Sequence, residues 1–493
     1  MKNSTGSNNT IQAAWVALGS LFSVGFSIIS AMILSRYFSV AEYGLYKQVI
    51  YVYTTLNGFF MLGLPKAFSY FLPKAPISQA KSLINKLNNL FYILGGIFTA
   101  LLFFGAPLIE EFMNAPGLAK LLRIFSPVPF FMMPTMGLEG ILATYRKTKL
   151  ISAYIVLTRM AMLLCICLPV IVYDANCDIA ILGFVLSSFI SFIIALILRN
   201  NPIKNAGTEK TTESYRSIFA FCFPLFIASI WGILINSTDQ FFISRYFGNE
   251  VFAIFSNGSM ELPFVGMIIG ATSTVLTPLF TKQLHVHANL AETVLPVWKN
   301  AFAKSAMIIY PLTVFCIFDA VSIMSIMYGE AYVGSAPFFQ IKLLTYFFKV
   351  IVFYSLIVAL GAVNFYQRLF MILFFILVAF EYLSVKLFAD PLLITAIHVI
   401  VTIASCIAMM VFIARKLNVN IMTLVPKRRL AKVFTASILS GLFFYGLKYI
   451  FYADVNLILS LSLDCFLMLG AFIALSIVLK LNYWDIVKPI FTK

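Results

Sequence analysis

Nine ionisable side chains stand inside long apolar runs, where charge is expensive. Arg159, Glu261 and Lys349 fall near the middle of such runs; Lys66, Glu139, Asp319, Lys342, Glu381 and Asp464 fall nearer an end. On insertion scales a charge at the centre of a bilayer costs at least ~2.5–3.5 kcal/mol, so each of these residues is kept for a partner or for a function. Fixed cations in a water-filled cleft suit an anion, and a carboxylate in a low-dielectric site can titrate near neutral pH. Lys342, Tyr346 and Lys349 are spaced i, i+4, i+7 and would share one helical face. Two lysines on one stripe repel each other in a dry interior, but are at home beside a wet cavity that receives an anion. The plainer reading is that each pairs with an acid such as Glu139 or Glu381, or snorkels to the interface.

Enzyme chemistry finds no comparable support. No Walker sequence is present, and no Ser–His–Asp or Cys–His arrangement stands out. The three histidines, His285, His287 and His398, form no metal set with nearby acids. The seven cysteines lie mostly in apolar runs and read as small buried hydrophobes, with no disulfide framework and no metal pair at Cys165 and Cys167. The expectation is a protein that is not an enzyme and carries no metal or other cofactor.

The elements that must position these charges are spanning helices. The 493-residue chain is 61% hydrophobic and 11% charged, with a mean hydropathy of +0.96. No soluble domain has enough polar surface to cover itself at that composition. Windows of roughly 20 apolar residues predict about fourteen spanning helices. Their approximate cores are 11–34, 46–71, 88–109, 121–144, 150–173, 179–198, 217–241, 251–280, 303–328, 336–361, 369–388, 391–413, 433–452 and 457–480. The first is too long for the apolar region of a cleavable signal and lacks a small-residue cleavage site, so it is expected to stay as a helix. Pro65, Pro127, Pro129, Pro134, Pro224, Pro263, Pro278 and Pro311 fall within these cores and predict kinks.

Loop charge alternates along the chain. One set is basic, including Lys81 and Lys86, Arg146 to Lys149, Arg199 to Arg216, and Arg415 to Lys432; the other is acidic or mixed, including Glu110, Asp174, Asp178, Glu250, Glu330, Asp390 and Asp454. The positive-inside rule places the basic loops and both termini in the cytoplasm. The net charge of +16 then faces anionic lipid, and nucleic acid need not be invoked. The polar stretch 199–216 has the composition of a flexible linker. It divides the chain into an N-lobe at 1–198 and a C-lobe at 217–413, followed by a basic loop at 414–432 and two further helices in 433–493. The fold class is an all-α integral membrane protein, with two six-helix lobes plus two C-terminal helices.

A short repeat supports the duplication. Ser-Arg-Tyr-Phe occurs at 35–38 and again at 244–247, each at the end of the first helix of a lobe. At the same offset of 209 residues, Tyr43-Gly44-Leu45-Tyr46 aligns with Phe252-Ala253-Ile254-Phe255. Six is an even number of spans, so the two lobes are parallel repeats about an axis along the membrane normal. Arg36 and Arg245 suit helix C-termini, where the dipole favours cations. A sharper alternative has them facing each other across the mouth of a cleft between the lobes.

The segment LSRYFSVAEYGLYKQ (Leu34 to Gln48), following a first spanning helix, resembles the Wzx-type polysaccharide flippases. These belong to the multidrug/oligosaccharidyl-lipid/polysaccharide exporter superfamily. GLPKAFSYFLPK (Gly63 to Lys74) is similar to that family's second-helix ending. The resemblance implies a bacterial inner-membrane flippase that moves oligosaccharide repeat units on undecaprenyl pyrophosphate from the inner to the outer leaflet by alternating access. O-antigen, capsule or exopolysaccharide synthesis would be served. It implies lipid-linked oligosaccharide and membrane lipids as partners, with a polysaccharide polymerase and a chain-length regulator as further ones. On this reading Arg159, Lys342, Lys349, Lys66, Arg36 and Arg245 are candidate anion contacts. Glu261, Asp319 and Glu139 would couple transport to a proton or sodium gradient. The alternatives are a cation-coupled drug exporter of the same superfamily, a lipid II flippase, and a membrane-embedded polysaccharide polymerase or ligase. The last would need a large outer loop, which the chain lacks.

Overall fold

The computed structural model describes residues 3–173, 176–204, 207, 209–286, 290–351, 353–452 and 455–483. Asp174, Asp454 and His287 lie outside the described residues, and Pro278, Lys282 and His285 are described by backbone alone. Among the described residues the chain is helical and has no strand. It forms two compact units, Met1–Ala253 and Ile254–Lys493. The 199–216 linker and most of the helix after it belong to the first unit.

The first unit holds α1 (Asn3–Tyr37), α2 (Val40–Phe60), α3 (Leu64–Phe71), α4 (Ile77–Phe104), α5 (Ala106–Met113) and α6 (Leu118–Phe125). It continues with α7 (Val128–Met132), α8 (Leu138–Thr144), α9 (Thr148–Tyr173), α10 (Cys177–Arg199) and most of α11 (Tyr215–Gly258). α9 packs against both α1 and α10. Small residues allow this close approach: a Cβ added at Gly183 would lie 2.1 Å from the carbonyl oxygen of Cys165. α10 is turned inside out relative to a soluble helix. Ser187, Ser188 and Ser191 are buried, while Leu182, Leu186, Phe189, Ile193 and Ile197 are exposed. That arrangement is stable only where the outer medium is hydrocarbon.

The second unit holds α12 (Pro263–Val286), α13 (Leu290–Phe318), α14 (Ala320–Tyr328), α15 (Ser335–Leu343) and α16 (Phe353–Ala359). Then come α17 (Val363–Leu387), α18 (Pro391–Lys416), α19 (Ile421–Leu424), α20 (Lys427–Phe451) and α21 (Leu457–Val478). α20 packs on both α13 and α21. Gly441 of α20 makes this possible, since a Cβ there would meet Val314 and Phe318 at 2.8 Å. α21 repeats the inverted pattern, with Ser460, Asp464 and Ser476 buried and Leu459, Phe466, Leu469, Ile473 and Ile477 exposed.

Eleven helices among the described residues are long and apolar enough to cross a membrane. The cores expected at 46–71, 251–280 and 336–361 are not among them, and each contains a break. In the first, Leu62 (φ 45°) and Gly63 (φ 74°) turn the chain left-handed between α2 and α3, with Pro65 just inside the new helix. In the second, residues 259–262 separate α11 from α12, and Pro263 begins a helix that it was expected to kink. In the third, α15 tightens to a 3₁₀ turn at Leu344–Phe347, residues 348–351 are not helical, and the next helix begins at Phe353. The prolines of the fourth core also act as boundaries: Pro129 and Pro134 sit at the starts of short helical pieces. Pro224 and Pro311 remain inside α11 and α13.

The two Ser-Arg-Tyr-Phe copies end helices in the same way. α1 stops at Tyr37, and α2 begins after Ser39, whose side chain and Glu42 form a reciprocal capping box. In the second copy Gly248, at φ 81° and ψ 178°, breaks α11 directly after Phe247. Ser39 and Gly248 are the same distance beyond their copies, so the repeat is one of structure as well as spelling.

Candidate functional site

A cavity of about 190 Å³ opens in the first unit among α1, α2, α9 and α10. Three of these helices contribute a full i, i+3, i+4, i+7 stripe. They are Ser27, Ser30, Ala31 and Leu34 of α1; Tyr43, Tyr46, Lys47 and Ile50 of α2; and Arg159, Met162, Leu163 and Ile166 of α9. Phe184 of α10 closes one side.

Two cations line this space and no acid does. Lys47 Nζ lies 5.1 Å from the centroid of the Tyr43 ring, a cation–π contact that leaves its charge unneutralised. Arg159 Nη1 lies 3.5 Å from Met162 Sδ, a weak acceptor. Neither cation forms an ion pair among the described residues. The remaining polar groups are hydroxyls of Ser27, Ser30, Tyr43 and Tyr46. Ser27 Oγ donates to its own helix and Ser30 Oγ accepts from Cys167 Sγ. A pocket with two positive charges, hydroxyl donors and apolar walls is chemically matched to an anion carried on a larger amphiphile.

Of the charged residues proposed from the sequence as site residues, Arg159 alone lines this cavity. Lys47 was not singled out, although it lies inside the motif that carried the family resemblance. It sits seven residues into α2, close enough to the helix start to read as an interfacial lysine. Arg36 is exposed and donates from Nη1 to Met32 O of its own helix at 2.8 Å, the helix-end role expected of it. Arg245 donates to the carbonyls of Glu111 and Phe112 at the end of α5, and lies over the Phe112 ring. Lys66 on α3 and Glu139 on α8 are both exposed.

The remaining candidates lie in the second unit, and two expectations about them need correction. Lys342, Tyr346 and Lys349 do not share one α-helical face: Lys342 is in the last turn of α15, Tyr346 is in the 3₁₀ turn, and Lys349 is in the irregular stretch beyond. The Tyr346 hydroxyl accepts from Leu262 N at 3.0 Å, and Lys342 Nζ stands 5.8 Å from the Phe255 ring centroid. Glu261 is not within a helix. It is exposed in the break before α12, because Pro263 cannot donate the hydrogen bond that would continue α11.

Asp319 is fully buried where α13 gives way to α14, and it has a partner that the sequence did not disclose. Lys448 Nζ of α20 donates to Asp319 Oδ1 at 2.8 Å, to Asp464 Oδ2 of α21 at 2.7 Å and to Ser322 Oγ at 3.2 Å. The Tyr452 hydroxyl donates to the other Asp464 oxygen at 2.6 Å. One ammonium thus serves two buried carboxylates from three helical segments. A second buried pair, Glu381 on α17 and His398 on α18, stands at 4.0 Å.

Comparisons with known proteins agree with this architecture. The family model described as Polysaccharide biosynthesis protein matches residues 33–337. Among curated proteins, none matches the chain. Among solved structures, lipid II flippase MurJ in an inward closed conformation superposes with a TM-score of 0.71 at 14% identity, over 96% of this chain and 99% of that one. A MOP superfamily transporter from Pyrococcus furiosus gives 0.59 at 17% identity, over 82% and 94%. The Vibrio cholerae MATE transporter VcmN gives 0.59 at 13% identity, over 84% and 98%. At these identities the likeness is one of fold.

Proposed function

The chain belongs to the polysaccharide biosynthesis protein family, and within it we propose a flippase for oligosaccharide repeat units carried on undecaprenyl pyrophosphate. The observation that carries this reading is the cavity lined by Lys47 and Arg159 without a carboxylate. A pyrophosphate loses its hydration on leaving water, and two fixed cations beside hydroxyl donors offset that loss. The aromatic and aliphatic walls suit the sugar faces and the isoprenoid that travel with it. The lobes at 1–198 and 217–413 would open alternately to the two sides, moving cargo from the cytoplasmic leaflet outward. Both termini would be cytoplasmic, in the inner membrane of a bacterium. Glu261 and Glu139, both exposed, are the carboxylates free to couple this movement to an ion gradient; Asp319 is engaged by Lys448.

Lipid II is a second cargo of the same chemistry. The nearly complete superposition on MurJ favours it over small drug molecules, since the exporter structures cover less of the chain. Leaflet-resolved labelling of lipid-linked glycans in cells lacking the protein separates these readings. Build-up of repeat units on the inner leaflet, relieved by the wild type and not by a Lys47→Ala/Arg159→Ala double variant, supports the proposal. Build-up of lipid II substitutes the second cargo. Unpolymerised units gathering on the outer leaflet would overturn the flippase reading in favour of polymerisation.

A further inference from the structure

The stretch 199–216 reads as a flexible linker, yet its second half is fastened to α4. Ser78 Oγ donates to Glu209 Oε2 at 2.7 Å, and Thr211 N donates to Ser82 Oγ at 3.1 Å. Thr212 N donates to Gln79 Oε1 at 3.3 Å, and Lys86 Nζ donates to Glu213 O at 2.6 Å. Gly207 lies so close to α4 that a Cβ there would meet Ser78 Cα at 3.1 Å. These contacts border a second, open cavity of about 490 Å³ between the linker and the start of α4.

Every residue lining that cavity is polar, and three are lysines: Lys81 and Lys86 from α4 and Lys210 from the linker. No carboxylate lines it. Of the acids in the fastened stretch, Glu209 accepts from Ser78 and Glu213 Oε2 accepts from Ser217 at 2.8 Å, and neither lines the cavity. None of the three lysines has an ion-pair partner among the described residues. Three ammonium groups around one space repel one another, and an anion that joins them is favoured over water alone. The hydroxyls point the same way. Ser82 Oγ already accepts from Thr211 N, and Thr211 Oγ1 accepts from Glu213 N at 3.2 Å. Each therefore keeps its O–H to donate, which suits a ligand that only accepts.

We infer that the docked linker and the first turns of α4 form a phosphate-binding site, separate from the cavity of Lys47 and Arg159. Two exposed ammoniums, a third on Lys86 that is held by Glu213 O and the Tyr215 ring, and hydroxyl donors match a phosphoryl group with several acceptor oxygens. The site sits where α4 begins its apolar run, so the phosphate of an anionic phospholipid headgroup is one source and a free phosphate compound the other.

The test uses the full-length protein in neutral detergent, titrated with short-chain phosphatidylglycerol, short-chain phosphatidylcholine and inorganic phosphate, with thermal unfolding as the readout. The expected result is a saturable stabilisation by phosphatidylglycerol and none by phosphatidylcholine. Lys210→Ala and Lys81→Ala should each weaken it about 10-fold, and Lys210→Arg should preserve it. Saturation by inorganic phosphate alone, with the same lysine dependence, would assign the site to a soluble phosphate compound. No saturable response, or one that the alanine variants leave unchanged, would overturn the inference. Lys210 is exposed on the linker, so its replacement leaves folding intact. Translocation is read separately, so failure here and failure of the flippase reading are distinguishable.

Discussion

Gln48 Nε2 donates a hydrogen bond to Ser244 Oγ at 2.8 Å, and both residues are fully buried. The same amide nitrogen lies 3.1 Å from Asn249 Oδ1. Gln48 belongs to the segment following the first Ser-Arg-Tyr-Phe, and Ser244 opens the second. The duplicated stretches are thus joined to each other within one compact unit. Tyr51 extends the seam, donating to Ser237 O at 2.9 Å.

Replacing Gln48 by leucine should leave Ser244 and Asn249 without their donor in an apolar setting. A destabilisation of about 1–3 kcal/mol is expected. A fall in the thermal midpoint of the detergent-solubilised protein, absent when an exposed residue such as Lys147 is changed to Gln, checks it.

Gly44 lies on the same seam. A Cβ there would lie 2.0 Å from the carbonyl oxygen of Asn249, a backbone atom that cannot swing aside. Gly44→Ala should therefore cost ~1–3 kcal/mol or more, through displacement of α2 from α11. If the alanine variant unfolds at the same temperature as the wild type, this packing argument is wrong.

Lys47→Ala and Arg159→Ala should each lower translocation by about 10–100-fold, as expected for loss of one charge-assisted contact. Protein level in the membrane should be unchanged, because neither cation has an ion-pair partner to strand. Lys47→Arg should retain most activity. Normal transport by both alanine variants would remove the cavity from the mechanism.

Lys448→Met should be severe. It leaves Asp319 and Asp464 buried without their shared cation, which costs about 3–5 kcal/mol for a broken buried pair. Adding Asp319→Asn and Asp464→Asn should recover much of that loss, since the neutral set has no charge to bury. Membrane abundance of the single and triple variants is the measurement. Equal abundance of the two would show that the cluster does not stabilise the unit.

The spanning helices and the repeat were legible because each is a local signal. An apolar run of 20 residues or a tetrapeptide at a fixed offset needs no knowledge of neighbours. Arg159 was legible for the same reason, as a charge far from either end of its run. Lys47 and Lys448 were not. Each sits near a helix end, where a lysine ordinarily snorkels, and only the packing of distant segments turns it inward. The break after Lys342 left no mark either. Phe347 to Ile351 contains no glycine or proline, so the i, i+4, i+7 spacing looked helical when the backbone was not. Pro65 marked a bend in the sequence, but the apolar run continued through it, so the 46–71 core read as one kinked helix and not as two.

The Lys448 cluster also bears on how the chain is made. Segments enter the membrane in the order of synthesis, so Asp319 is in place long before α20 emerges. A lysine arriving alone in hydrocarbon is a poor candidate for insertion; one that meets a waiting carboxylate is not. Asp464 follows 16 residues after Lys448 and completes the set. On that order of insertion, the charge pattern would fasten the last hairpin, α20 and α21, to the junction of α13 and α14 only once both of its helices are in place.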